Sequence, residues 1–130
     1  MLYKYLLPLL LLMAIPGANQ ASLVHFESVE YPRLAWQARI EGDVKVAARV
    51  ALDGKVSSVS ASSGHQLLQQ AALENLKKWI FVTNHEFDLE IIFQFKLEKP
   101  ESSSQRATKT VVDLRAHRVI VICNLPQLNT

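Results

Sequence analysis

From Val44 to Leu52 every second residue is apolar (Val44, Val46, Ala48, Val50, Leu52), while Asp43, Lys45 and Arg49 occupy the alternate positions. A period of two puts one set of side chains on each face of an extended strand, so this segment has one buried face and one wet face. Asp53-Gly54 follows directly, a pair that tolerates the positive φ angles of a tight two-residue turn. The chain is therefore expected to fold back as an antiparallel hairpin, from about Gly42–Leu52 into about Lys55–Ala61. The spacing Val56-x-x-Val59 breaks strict alternation, and a β-bulge there returns both valines to one face.

The elements around this hairpin read in the same way. Pro32 suits the first turn of a short helix carrying Ala35, Trp36 and Ala38, a clip lying against the sheet. Ser63 and Gln66 have the spacing of a capping box. Leu68, Ala71, Ala72, Leu76 and Trp79 then form one apolar stripe at helical spacing, with Glu74, Lys77 and Lys78 opposite it. Trp79 and Phe81 are expected to anchor the end of that helix, with Asn84 as its stop. Leu89, Ile91, Phe93, Phe95 and Leu97 alternate with more polar neighbours and define a third, half-buried strand. Pro100 to Gln105 forms a polar linker expected to end the domain, and residues 108–123 read as two further short strands before a tail over 124–130. The fold class is α+β: a small antiparallel sheet in β-β-α-β order, with one main helix on one face, a short helix before it and an extra C-terminal strand pair.

Residues 1–21 combine Lys4, an apolar run from Tyr5 to Ile15 and a small-residue ending, the layout of a secretory signal peptide. The cleavage pattern is weak, with Asn19 three residues before a cut after Ala21, so an uncleaved anchor stays open. Removal leaves 109 residues and lowers the formal charge from +2 to +1. That length supports one small domain, centred on residues 22–99. Scattered basic residues on a near-neutral chain give no stripe for nucleic acid. Lys77-Lys78 suits a helix C-terminus, where the dipole favours positive charge. Cys123 is the single cysteine. No intramolecular disulfide can form, and its place after Val119-Ile120-Val121-Ile122 makes it a small buried hydrophobe.

Catalytic chemistry is not indicated. His25, His65, His85 and His117 include no pair at metal-ligand spacing. Ser62-Ser63-Gly64-His65 lacks a nucleophile elbow. Among the acids Asp43, Asp53, Glu86, Asp88 and Glu90, turn and strand-surface positions account for Asp53 and Glu90. Four glycines spread over the chain build no phosphate loop. No cofactor, metal or enzymatic activity is expected.

The succession Tyr31-Pro32, Ala35, Ile40-x-Gly42-x-Val44-x-Val46, Asp53-Gly54-x-Val56-x-x-Val59, Ser63-Gly64 and Ala71-Ala72-(x)6-Trp79-x-Phe81 resembles the C-terminal domain of TonB. TonB is the periplasmic protein that transmits energy from the inner membrane to outer-membrane transporters. The resemblance covers Tyr31 to Leu97 and implies a periplasmic, non-enzymatic protein-binding module. In that family the third strand captures the box peptide of an outer-membrane transporter by strand addition. By position, this implies a partner-binding edge strand at Glu90, Ile92, Gln94 and Lys96, with the transporter box peptide or another envelope protein as partner.

Two features depart from that pattern. A proline-rich linker is not visible, and the dozen residues between Ala18 and Tyr31 span at most roughly 40 Å when extended. The run Leu6–Leu12 carries no polar residue for a motor partner. Residues 108–123 are also apolar enough to pair along Glu90 to Lys96 and cover the edge. Two other roles remain open: a truncated energy-transducer component supporting TonB-dependent transport, and a structural envelope protein that dimerises with a second copy through swapped strands or Cys123.

Overall fold

The computed structural model describes residues 21–99 and 107–125. Residues 1–20 of the expected signal segment 1–21, residues 100–106 of the expected linker 100–107 and residues 126–130 of the expected tail 124–130 lie outside the described residues. In chain order the elements are β1 (Ala21–His25), α1 (Arg33–Gln37), β2 (Gly42–Val50), β3 (Val56–Ala61), α2 (Gln66–Leu76), β4 (Ile80–Thr83), β5 (Phe87–Glu98), β6 (Ala107–Asp113) and β7 (Arg118–Asn124). Five strands form one sheet in the order β3-β2-β5-β7-β6, and β1 and β4 form a separate two-stranded antiparallel ribbon. The class is α+β, as the sequence implies. Within the large sheet every neighbouring pair is antiparallel except β5 and β7, which run parallel.

One face of the sheet makes the core. Val44, Val46, Ala48 and Val50 of β2, Ile91, Phe93 and Phe95 of β5, and Val119, Val121 and Cys123 of β7 are buried there. Leu68, Ala72 and Leu76 of α2 close over them as the helical stripe requires. Ala35 brings α1 into the same cluster, with Pro32 at its N-cap. Tyr31 sits nearby, its hydroxyl donating to the Ile40 carbonyl at 2.6 Å and its ring meeting Phe95 edge-on. Burial first, then the negative charge of Glu41, pushes the Tyr31 phenol well above its ordinary range.

Several local expectations are corrected. The hairpin turn is a three-residue loop, Leu52-Asp53-Gly54, because the Gly54 N–H donates to Ala51 while Ala51 donates to Lys55. Leu52 therefore leaves the apolar face and is exposed. The turn ends on Gly54 with φ +84°, where a Cβ would lie 1.7 Å from the Phe81 carbonyl oxygen. The Gly54 carbonyl in turn accepts from the Phe81 N–H at 2.8 Å, so the hairpin tip and β4 lock together. Gly54→Ala is expected to cost about 1–3 kcal/mol in backbone strain before any movement of β4 is counted. Urea denaturation measures it, and a loss within about 0.5 kcal/mol, the range of an ordinary surface change, would contradict the lock. In β3 the pairing shifts at Ser57, between Arg49↔Ser58 and Val50↔Val56, which is the expected bulge.

Ser63 does not cap α2. Its hydroxyl accepts from the Lys45 N–H, and the cap is His65, whose Nδ1 accepts from the Leu67 N–H at 3.1 Å. The helix also ends early, at Leu76, and Trp79 lies just past it while Phe81 belongs to β4. Asn84 therefore does not stop the helix. Both aromatics are buried as expected, but a strand and not a helix carries Phe81. The polar Asn75 is buried too, accepting from Trp79 Nε1 and donating to the Glu27 carbonyl, both at 2.8 Å. It ties the helix end to the segment that leads into α1. The domain likewise does not end at the polar linker, because β6 and β7 complete the sheet and part of its core.

Candidate functional site at the sheet edges

Glu90, Ile92, Gln94 and Lys96 share one face of β5, the one facing away from α2. Glu90 reaches across to Lys45 of β2, with Nζ and Oε1 2.6 Å apart. Arg49 of β2 pairs with Asp88 at 2.8 Å and with Glu86 at 3.1 Å, and these hydrogen bonds, Asp88 foremost, raise its pKa. All these side chains keep about half or more of their surface in water, so the pairs fix little beyond local order. On β7 and β6 the same face is more apolar: Ile120 and Ile122 are half-buried and Val111 is exposed.

The main chain of β5 is not free where an added strand was expected. The Ile92 N–H donates to the His117 carbonyl at 2.9 Å, and the Leu125 N–H donates to Glu98 at 3.0 Å. Between these points β7 runs in parallel register from Ile92↔Arg118 to Glu98↔Asn124. The four residues read as an edge strand therefore lie in an interior strand, three of them directly opposite β7. The physical reason is the alternation of Val119, Val121 and Cys123, which bury completely only when β7 lies beside Phe93 and Phe95. Only Phe87–Ile91 of β5 extends beyond the start of β7.

Filling one edge creates another. Because the odd-numbered residues of β7 bond to β5, its even-numbered residues face β6, and Arg118, Ile120 and Ile122 pair with Asp113, Val111 and Lys109. The N–H and C=O groups of Thr108, Thr110 and Val112 consequently point away from the sheet. The Thr110 hydroxyl accepts from the Val29 N–H at 2.9 Å, a side-chain bond that leaves its main chain outward. At the opposite end the same reasoning turns Val59 and Ala61 of β3 outward, where α2 lies close by. The residues 108–123 held the signal for this. Their pattern showed two strands near β5, but not which of the two would lie beside it.

Among the described residues no group of three or more His, Cys, Asp or Glu side chains could hold a metal ion. His65 is a helix cap, His25 stands 3.8 Å from Glu27, and His85 packs against Phe87. Among the described residues no helix is long and apolar enough to cross a membrane.

A hairpin, a helix and a third strand around an aromatic core define a small α+β domain whose large sheet has edge strands β3 and β6. The profile of the Gram-negative bacterial TonB protein C-terminal family matches residues 27–97, and the chain belongs to that family. The family is one of non-catalytic interaction domains coupled to transport across the outer membrane. Protein tonB2 of Pseudomonas aeruginosa is 39% identical over 69 residues, which are 52% of this chain and 25% of that protein. The chain thus spans a quarter of the length of this relative. The solution structure of the Pseudomonas aeruginosa TonB C-terminal domain superposes with a TM-score of 0.55 at 24% identity, covering 62% of this chain and 90% of that one. That likeness is one of fold.

Proposed function

We propose that this protein is a periplasmic TonB-like binding module that takes up an extended segment of an outer-membrane transporter, or of another envelope protein, by strand addition at β6. The observation that supports this reading is the outward main chain of Thr108, Thr110 and Val112, which no strand among the described residues pairs with. Strand addition draws its affinity from such main-chain groups and its specificity from alternate side chains. Here those side chains are Thr108 and Thr110 toward the core side, and Lys109 and Val111 toward the open face.

The test is amide hydrogen exchange by NMR on the full chain, with and without a transporter box peptide. The expected result is new protection at Thr108, Thr110 and Val112, with Ile92, Gln94 and Lys96 protected throughout. Loss of the β7 signals together with changes at Ile92–Lys96 would instead mean that the peptide displaces β7 and pairs with β5.

A further inference from the structure

Among the described residues, five of the eight large apolar side chains that remain exposed gather at one end of the molecule: Val24, Phe26, Leu52, Ile80 and Val82. They have a common structural origin. The β1–β4 ribbon turns Leu23 and Phe81 toward the core, which sends Val82 and Ile80 outward, and a pairing shift after Leu23 leaves Val24 outside as well. The hairpin tip bearing Leu52 joins this ribbon through the Phe81 to Gly54 bond and the Lys55↔Ile80 bridge. Val82 is 64% exposed and Leu52 61%, values unusual for such side chains gathered on one surface.

What covers this surface is indicated by the chain that enters it. β1 begins at Ala21, six residues after the apolar run Tyr5–Ile15 ends, a distance of at most about 20 Å. Lys55 follows the tip and Lys77 and Lys78 precede β4 by way of Trp79, with Lys78 ion-paired to Glu27 at 3.3 Å and Asp53 at the tip, so the border carries three cations against two acids. An apolar face bordered by lysines is suited to the headgroup region of an anionic bilayer.

We propose that the outer face of the β1–β4 ribbon, with the Leu52 tip, rests on a phospholipid surface and seats the domain against the membrane. Val24, Ile80 and Val82 enter the headgroup boundary, while Val111, exposed on the edge strand β6, remains in water. The proposal is independent of whether β6 receives a partner strand.

The experiment places a fluorophore on Val82→Cys, and separately on Val111→Cys, in the full chain with residues 1–20 retained. The protein is reconstituted in vesicles of phosphatidylethanolamine and phosphatidylglycerol. Both positions are exposed, and the native Cys123 is buried and escapes labelling. The label at 82 is expected to lose about half or more of its emission to nitroxide-bearing lipid, since an interfacial face sits about 5–10 Å into the boundary, and the label at 111 to lose little. Equal access of an aqueous quencher to both positions would overturn the proposal. Shielding of position 82 from water without quenching by lipid would also overturn it, and would point to a protein, such as a second copy, on the ribbon.

Discussion

Ending the chain at Lys99 is expected to unfold the domain. The truncation removes β6 and β7, and with them Val119, Val121 and Cys123, each with no exposed surface. Burial of a side chain of this kind contributes about 1.5–3 kcal/mol, so three of them approach the whole stability of a small domain, about 5–15 kcal/mol. The loss also exposes the flanks of Phe93 and Phe95, which β7 covers in parallel register. Circular dichroism and an amide NMR spectrum of residues 22–99 decide the matter. A well-dispersed spectrum would show that β7 is a removable cover, and would return the binding edge to Glu90, Ile92, Gln94 and Lys96.

Trp79→Ala is expected to destabilise the protein by about 3–5 kcal/mol, the range for deleting a large buried aromatic side chain. Trp79 is 1% exposed and packs against Phe26, Phe81 and Phe93. Its Nε1 is also a hydrogen-bond partner of the buried Asn75, whose side-chain oxygen would be left unsatisfied. Urea denaturation of Trp79→Ala and Trp79→Phe separates the two contributions, because the phenylalanine keeps most of the volume and removes only the donor. A cost below about 1 kcal/mol for the alanine variant would contradict the core described here.

The truncation bears on function as much as on stability. If β7 is part of the core, strand capture at β5 requires breaking the core, whereas the capture proposed at β6 does not.

Much of this was legible in the residues. The period-two runs of β2 and β5, the stripe Leu68, Ala72 and Leu76 and the bulge near Val56 are local patterns, and local sterics and burial suffice to decide them. The family resemblance rested on the same local order and is matched over residues 27–97. Where the reading failed, competing partners were the cause. Ser63 had the spacing of a cap, but the Lys45 N–H claimed its hydroxyl and His65 took the role. Trp79 and Phe81 continued a helical stripe, but pairing with β1 drew Ile80–Thr83 into a strand.

Outside the β1–β4 ribbon, the sequence by itself therefore determined the element types, the buried faces of β2 and β5 and the family, because these depend on neighbours a few residues away. Only the tertiary structure decided that β7 rather than β6 lies against β5, that Glu90 to Lys96 is interior, and that Thr108, Thr110 and Val112 face outward. Strand order is a choice among pairings with equally good local patterns. The choice rests on which arrangement buries Val119, Val121 and Cys123 together against Phe93 and Phe95, and that is a property of residues far apart in the chain.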